Sequence, residues 1–147
     1  MQELFRTIYK KSGSFLILLF LICFPVGFAE AGNLSKEAIL EKENEALRLS
    51  REWSAESIRR SINLYSESAE DWLKTGESGK ASRCLRETAL LLMISSEYEP
   101  AIANLKKALL LARKANDPDG KIIILSILSR VAYQAGNTPE SEKYYKE

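Results

Sequence analysis

Few side chains in this sequence could do covalent or acid–base chemistry, and none stands in a productive spacing. The chain has no histidine, which removes Ser-His and Cys-His nucleophile pairs and any His-ligated metal. Asp117 and Asp119 before Gly120 start like a calcium loop, but Ala115 occupies the first ligand place, Pro118 interrupts it and Ser126 stands where a bidentate Glu is needed. A helix-capping turn explains them better. Glu70 and Asp71 are sequence neighbours on a helix and point in different directions, so they read as a solvated face. The two cysteines are Cys23 and Cys84. A single thiol outside the leader cannot build a zinc site or close a disulfide within the chain, and Cys84 reads as a small helix residue at an inter-helix contact. The expectation is a chain that is not an enzyme, with no cofactor and no metal.

The N-terminal residues set the compartment. Arg6, Lys10 and Lys11 precede the ten consecutive apolar residues Phe15 to Phe24; Pro25 and Gly27 then break any helix, and the small residues Ala29 and Ala31 follow. That order predicts a secretory signal over residues 1–31, with cleavage after Ala29 or Ala31. The alternative is an uncleaved anchor, since Ser12 to Ala29 gives eighteen uncharged residues, at the short limit of a membrane span. Either way the remainder is expected to be exported, to the periplasm or the extracellular space. A lipid attachment at Cys23 is disfavoured by the bulky Ile22 before it. Without residues 1–31 the Lys+Arg count falls from 21 by three (Arg6, Lys10, Lys11) and the Asp+Glu count from 20 by two (Glu3, Glu30), leaving 18 of each. A neutral balance argues against nucleic acid, which needs uncompensated basic clusters. Asn33-Leu34-Ser35 matches a glycosylation acceptor only in a eukaryotic secretory route and reads as incidental.

The elements are all helical. Residues 35–54 are rich in Glu, Lys, Ala, Leu and Arg without Gly or Pro, with Ser35 as the N-cap. Breaks at Gly76-Glu77-Ser78-Gly79, Ser95-Ser96-Glu97, Asn116 to Gly120 and Gly136 to Pro139 predict further helices near 56–75, 80–95, 98–115 and 119–135, with a stub from 139. The apolar run Ile122 to Leu128 fits a helix buried on two sides better than a strand. A small residue recurs forty residues apart at Ser61, Ala101 and Ser141, each followed four places on by Tyr65, Leu105 or Tyr145, and seven places on by Ser68 or Ala108. Fixed-period similarity of this length marks stacked helical hairpins. Ala89, Ala101 and Ala108 would let the helices of the second hairpin approach closely around Leu85, Leu92 and Leu105; Ser129, Ser141, Leu125, Leu128 and Tyr145 repeat the arrangement.

On these residues the sequence resembles the tetratricopeptide repeat family. The family's small site on the first helix matches Ala89 and Ser129, the small site opening its second helix matches Ala101 and Ser141, and its turn glycine matches Gly136. Ser96 replaces that glycine in the second repeat, and Ala132-Tyr133 puts the aromatic one place late. Long repeats and the segments from Arg51 to Ala81 and from Leu111 to Glu147 are similar to arrays in bacterial proteins that carry a caspase-like CHAT domain, which this chain does not contain. The resemblance implies an all-α, right-handed solenoid of about two and a half to three repeats over residues 32–147. It also implies that the first helix of each hairpin lines a concave groove. Counted from the small sites, the groove-facing residues are Trp53; Arg83, Arg86, Leu90 and Met93; and Arg130 and Tyr133. Arginine forks and aromatic anchors suit an extended acidic or amphipathic segment. In the competing reading, Trp53, Leu90 and Met93 pack between repeats and the arginines are solvated. The family's chaperone-tail clamp needs a Lys and Asn set that is missing.

The last helix, from Thr138-Pro139 to Glu147, is about half as long as the others, and no polar cap follows it. The expectation is either a fragment of a longer protein, the favoured reading, or a chain whose Ile124, Leu128 and Tyr144 are covered by another copy or a partner. The expected function is a non-catalytic, exported protein–protein interaction module whose protein or peptide partner is not named by the sequence. Membrane contact would come only through residues 12–29. The alternative function is the regulatory or sensor arm of a larger CHAT protease.

Overall fold

Helix lengths are set by a turn that recurs every twenty residues. At Gly76, Ser96, Asn116 and Gly136 the backbone enters the left-handed region, with φ of 80°, 61°, 52° and 80°. The next amide in each turn closes back onto the helix just ended: Glu77 on the Trp72 carbonyl, Glu97 on Leu92, Asp117 on Ala112 and Asn137 on Ala132, at 2.8–3.0 Å. This six-to-one closure satisfies the carbonyls a helix end leaves without partners. The residue that donates it then stands as N-cap of the next helix, so a few residues serve as both stop and start.

The computed structural model describes residues 35–147. The leader or anchor over 1–31, its cleavage sites, Cys23 and Asn33-Leu34 lie outside the described residues. Six helices follow: α1 Lys36–Ser50, α2 Ala55–Lys74, α3 Ser78–Ile94, α4 Tyr98–Lys114, α5 Pro118–Gln134 and α6 Thr138–Lys146. No strand occurs among the described residues, and Ile122 to Leu128 is helical. Asp117 caps α5 by accepting from the Gly120 amide at 2.8 Å, so the Asp-Pro-Asp-Gly segment is a capping turn. A Cβ on Gly120 would lie 2.2 Å from an Asp117 carboxylate oxygen, so a larger residue there would push the capping side chain aside.

The first helix is shorter than its composition suggests, ending at Ser50 instead of 54. Ser54 and Ser57 form a reciprocal capping box that starts α2 early. The chain must therefore turn before it, with Trp53 left-handed at φ 58°. Two satisfied amides outweigh the helix propensity of the residues they interrupt.

Each helix packs on the next, and α3 also touches α5. The two helices of every hairpin are fastened by one serine hydroxyl donated to a backbone carbonyl across the pair: Ser61 to Ala46 at 2.7 Å, Ser82 to Ala108 at 2.7 Å and Ser129 to Ser141 at 3.0 Å. Of the small residues singled out for repeat packing, Ser61, Ala89, Ala101 and Ala108 are fully buried, and Ser129 and Ser141 are half-buried. At the crossing where α3 and α4 set Ala89 and Ala101, α5 and α6 set the two serine hydroxyls, 3.1 Å apart.

Two apolar clusters result. One joins α1, α2 and α3 around Trp72, Tyr65 and Cys84; the other joins α3 to α6 around Leu105, Ile124 and Leu128, with Ile62 and Leu85 packed against both. The expectation that Ile124, Leu128 and Tyr144 wait for an outside cover is corrected, because the chain buries all three itself. Tyr145 goes the other way: its counterparts Tyr65 and Leu105 are buried, yet it is 85% exposed. Tyr65 lies in the cluster shared with α3 and Leu105 in the one shared with α5, whereas no described helix follows α6.

Candidate functional site

Charged groups collect on the α1–α3 side around one buried indole. Trp72 is fully buried, and its ring nitrogen donates to Glu43. The other Glu43 oxygen accepts from Arg83 at 2.7 Å, and the Lys80 ammonium sits 4.2 Å from the centre of the indole ring. Glu43 is a buried carboxylate between two donors, which is the condition for tolerating its charge there. Burial pushes the nearby Cys84 thiol well above the ordinary range, with the Glu43 carboxylate adding to it, so Cys84 is an inert core residue. Burial, then the Glu87 carboxylate, likewise pushes Tyr65 up to about 12. Further out, Asp71 accepts from Lys42 at 2.8 Å and Lys74 at 2.9 Å. These groups neutralise one another.

A groove opens at the α5–α6 side. A groove of about 710 Å³ is lined on α5 by Lys121, Ile122, Leu125, Ser126, Ser129, Arg130 and Tyr133, and on α6 by Ser141, Tyr144 and Tyr145, with Pro118 and Glu147 at its ends. The 3.6-residue period brings Ile122, Leu125, Ser126, Ser129 and Tyr133 onto one face of α5. Ile122 is 65% exposed and Tyr133 69% exposed. Among the described residues neither Lys121 nor Arg130 is paired with a carboxylate. The floor is held in place from below. Tyr144 donates to Glu140 at 2.8 Å, and Lys106 of α4 reaches the same carboxylate at 2.9 Å. Those two donors hold the Glu140 carboxyl below its usual range. Arg113 of α4 in turn pairs with Glu147. An apolar slot with tyrosine walls and two unpaired cations can hold an amphipathic or acidic segment.

The residues expected to share one groove are dispersed. Only Arg130 and Tyr133 line the slot. Trp53 sits in the turn between α1 and α2, 70% exposed, because the Ser54 cap removes it from helix α1. Arg83 is taken up by Glu43, and Arg86 pairs with Glu87 at 2.9 Å. Leu90 and Met93 are partly buried against the second apolar cluster. Sequence reasoning missed Glu43 and Trp72, whose pairing spans 29 residues, and Ile122, Ser126 and Tyr145 as groove walls. The forty-residue period carried a signal for the walls: Ser82 and Arg86 are the counterparts of Ile122 and Ser126.

Among the described residues no group of three or more His, Cys, Asp or Glu could hold a metal ion, and no helix is long and apolar enough to cross a membrane. No protein-family model matches the chain, no curated protein matches it in sequence, and no solved structure matches it in fold.

Proposed function

We propose that the chain is a non-catalytic, tetratricopeptide-like interaction module, a short right-handed helical solenoid that acts outside the cytoplasm and holds a protein partner through the α5–α6 groove. The support is the groove: about 710 Å³ of mainly apolar volume with Arg130 and Tyr133 at its wall, on helices whose own carboxylates do not neutralise that arginine. Apolar slots of several hundred Å³ with a few placed polar groups are where proteins take ligands. Aromatic and Arg side chains dominate the energetics of protein docking. Sequential packing of hairpins built on the same small-residue crossing supports the solenoid, since each repeat then contacts only its neighbours. The apolar run before Pro25 is the support for export.

The experiment is a binding screen of residues 32–147 against fluorescent peptides in two sets, extended acidic and amphipathic helical. A retained peptide should lose at least about tenfold in affinity, roughly 1.4 kcal/mol, when Arg130→Glu and Tyr133→Ala are combined. Unchanged affinity in the double variant, or no peptide retained by the unaltered protein, refutes the reading.

A further inference from the structure

The turns that follow α1 and α3 lie at the same end of the helical array. Lys36, which opens α1, pairs with Glu77, the N-cap of α3. Two turns of helix further on, Glu43 pairs with Arg83. The two helices therefore run in the same direction and in step. Trp53 stands ten residues beyond Glu43 and Ile94 eleven beyond Arg83, so both arrive at this end together. Both are exposed, Trp53 by 70% and Ile94 by 49%. Trp53 also holds a left-handed backbone, φ 58°, a conformation that glycine supplies at Gly76 and Gly136. An exposed indole kept in a costly conformation marks a contact residue.

The two turns carry opposite charge. Residues 48–60 hold Arg48, Arg51, Arg59 and Arg60 against Glu52 and Glu56, four positive and two negative. Forty residues on, the equivalent stretch 88–100 holds Glu97 and Glu99 and no Lys or Arg. At the α5–α6 turn, 128–140 holds one of each, Arg130 and Glu140, so the contrast belongs to the first two turns. Arg48 is taken up by Glu45 and Glu52. Arg51, Arg59, Arg60 and Glu56 on one turn, and Glu97 and Glu99 on the other, make no ion pair among the described residues. Glu97 is the N-cap of α4, yet its side chain makes no capping bond.

We propose that a second copy of the chain binds across these two turns, related to the first by a two-fold axis between them. The α1–α2 turn of each copy then lies on the α3–α4 turn of the other. Trp53 covers Ile94 of the other copy, and Arg51 and Arg59 meet its Glu97 and Glu99. A surface with one sign of charge and one exposed apolar side chain on each half is complementary to itself after a two-fold rotation. Everything the contact needs is carried by one chain, which is the reason the occupant is a copy and not a foreign protein. The contact shares no residue with the α5–α6 groove, so its failure would leave the groove's role standing.

Sedimentation velocity of residues 32–147, which contain all six helices and both apolar clusters, should show a monomer–dimer equilibrium across a dilution series. Trp53→Ser should weaken the dimer at least about tenfold, since a tryptophan at an interface is commonly a dominant contact. Arg51→Glu with Arg59→Glu makes both turns acidic, and Glu97→Arg with Glu99→Arg makes both basic. Each double variant alone should dimerise at least about tenfold more weakly than the unaltered protein. All four positions are exposed and outside ion pairs, so folding is kept. Mixed in equal amounts, the two double variants should pair with each other as tightly as the unaltered chain pairs with itself, because every acidic turn then meets a basic one. A monomer at every concentration, a dimer indifferent to these changes, or no pairing in the mixture overturns the proposal. Species that grow beyond the dimer would mean copies joined head to tail, and the two-fold contact is then wrong.

Discussion

Helices α1 and α3 present the same positions to opposite fates. Ala81, Cys84, Thr88 and Leu91 of α3 are buried, and of their counterparts on α5, Ile124, Leu128 and Val131 are too. Forty residues earlier stand Glu41, Asn44 and Arg48 of α1 and its C-cap Arg51, and all four are exposed. Arg48 completes that surface by pairing with Glu45 at 2.7 Å and with Glu52 at 2.5 Å. At the α5–α6 side the exposed large apolar side chains are Ile122, Ile123, Tyr133 and Tyr145. The α1 side sets ion pairs, which water screens and tolerates, beside the partly exposed Leu40 and Leu47, and the α5–α6 side keeps more strongly exposed apolar side chains, which water penalises. The contrast teaches that equivalent backbone positions end buried or exposed according to what packs on them: Ala81, Cys84 and Leu91 lie in the cluster that α3 shares with α1 and α2, whereas no described helix precedes α1.

If the α1–α3 side is closed structure and the α5–α6 side is an open bed, damage to the first should cost stability and damage to the second should cost binding only. Trp72→Ala is the harshest test. It removes the largest fully buried side chain and the donor to Glu43, and should destabilise by about 3–5 kcal/mol in urea unfolding. A cost under about 1 kcal/mol would mean this side is as loosely built as the other. Glu43→Ala leaves the buried indole N–H without an acceptor and should cost about 1–3 kcal/mol, while Glu43→Gln, which keeps a carbonyl oxygen, should recover most of it. Equal losses in the two variants would show that charge and not hydrogen bonding is what the site needs.

Acid should act next, and gently. Glu140 is held below 4.5 by hydrogen bonds from Lys106 and Tyr144. Burial works to raise Asp71, but hydrogen bonds from Lys42 and Lys74 prevail and hold it below 3.8. Groups whose folded values are lowered add stability above their unfolded values and lose it as pH falls through the folded ones. The thermal midpoint should therefore be flat from about pH 7 to about pH 5 and drop below about pH 4.5. A midpoint that rises on acidification contradicts these pairings. The smallest effect on stability should come from Asn44→Leu with Arg48→Leu, within about 0.5 kcal/mol at these exposed positions. The same change joins the partly exposed Leu40 and Leu47 into a continuous apolar stripe on α1, so further concentration-dependent association should appear by sedimentation. Its absence would show that the polar stripe is not what keeps that face free.

Much of the fold is legible in the chain because its signals are local. Gly136, the Asp117-Pro118 turn and the forty-residue return of small residues each act within a few residues, and helix boundaries follow them closely. Where the expectation failed, a second local signal won, as the Ser54–Ser57 box did over the helix propensity of Arg51 to Trp53. The site was less legible. Arg83 looks like Arg130 in the sequence, and only the position of Glu43 on another helix, 40 residues away, separates a neutralised arginine from a free one.

What the sequence alone determined is the helical class, the turn positions and the period, since propensity, caps and left-handed turn residues operate over single turns of chain. Tertiary structure decided which apolar residues are spent on the core and which stay exposed. Tyr144 and Tyr145 are neighbours of the same type, yet one is buried on α5 and the other faces solvent, because a helix has two sides and only one has a neighbour.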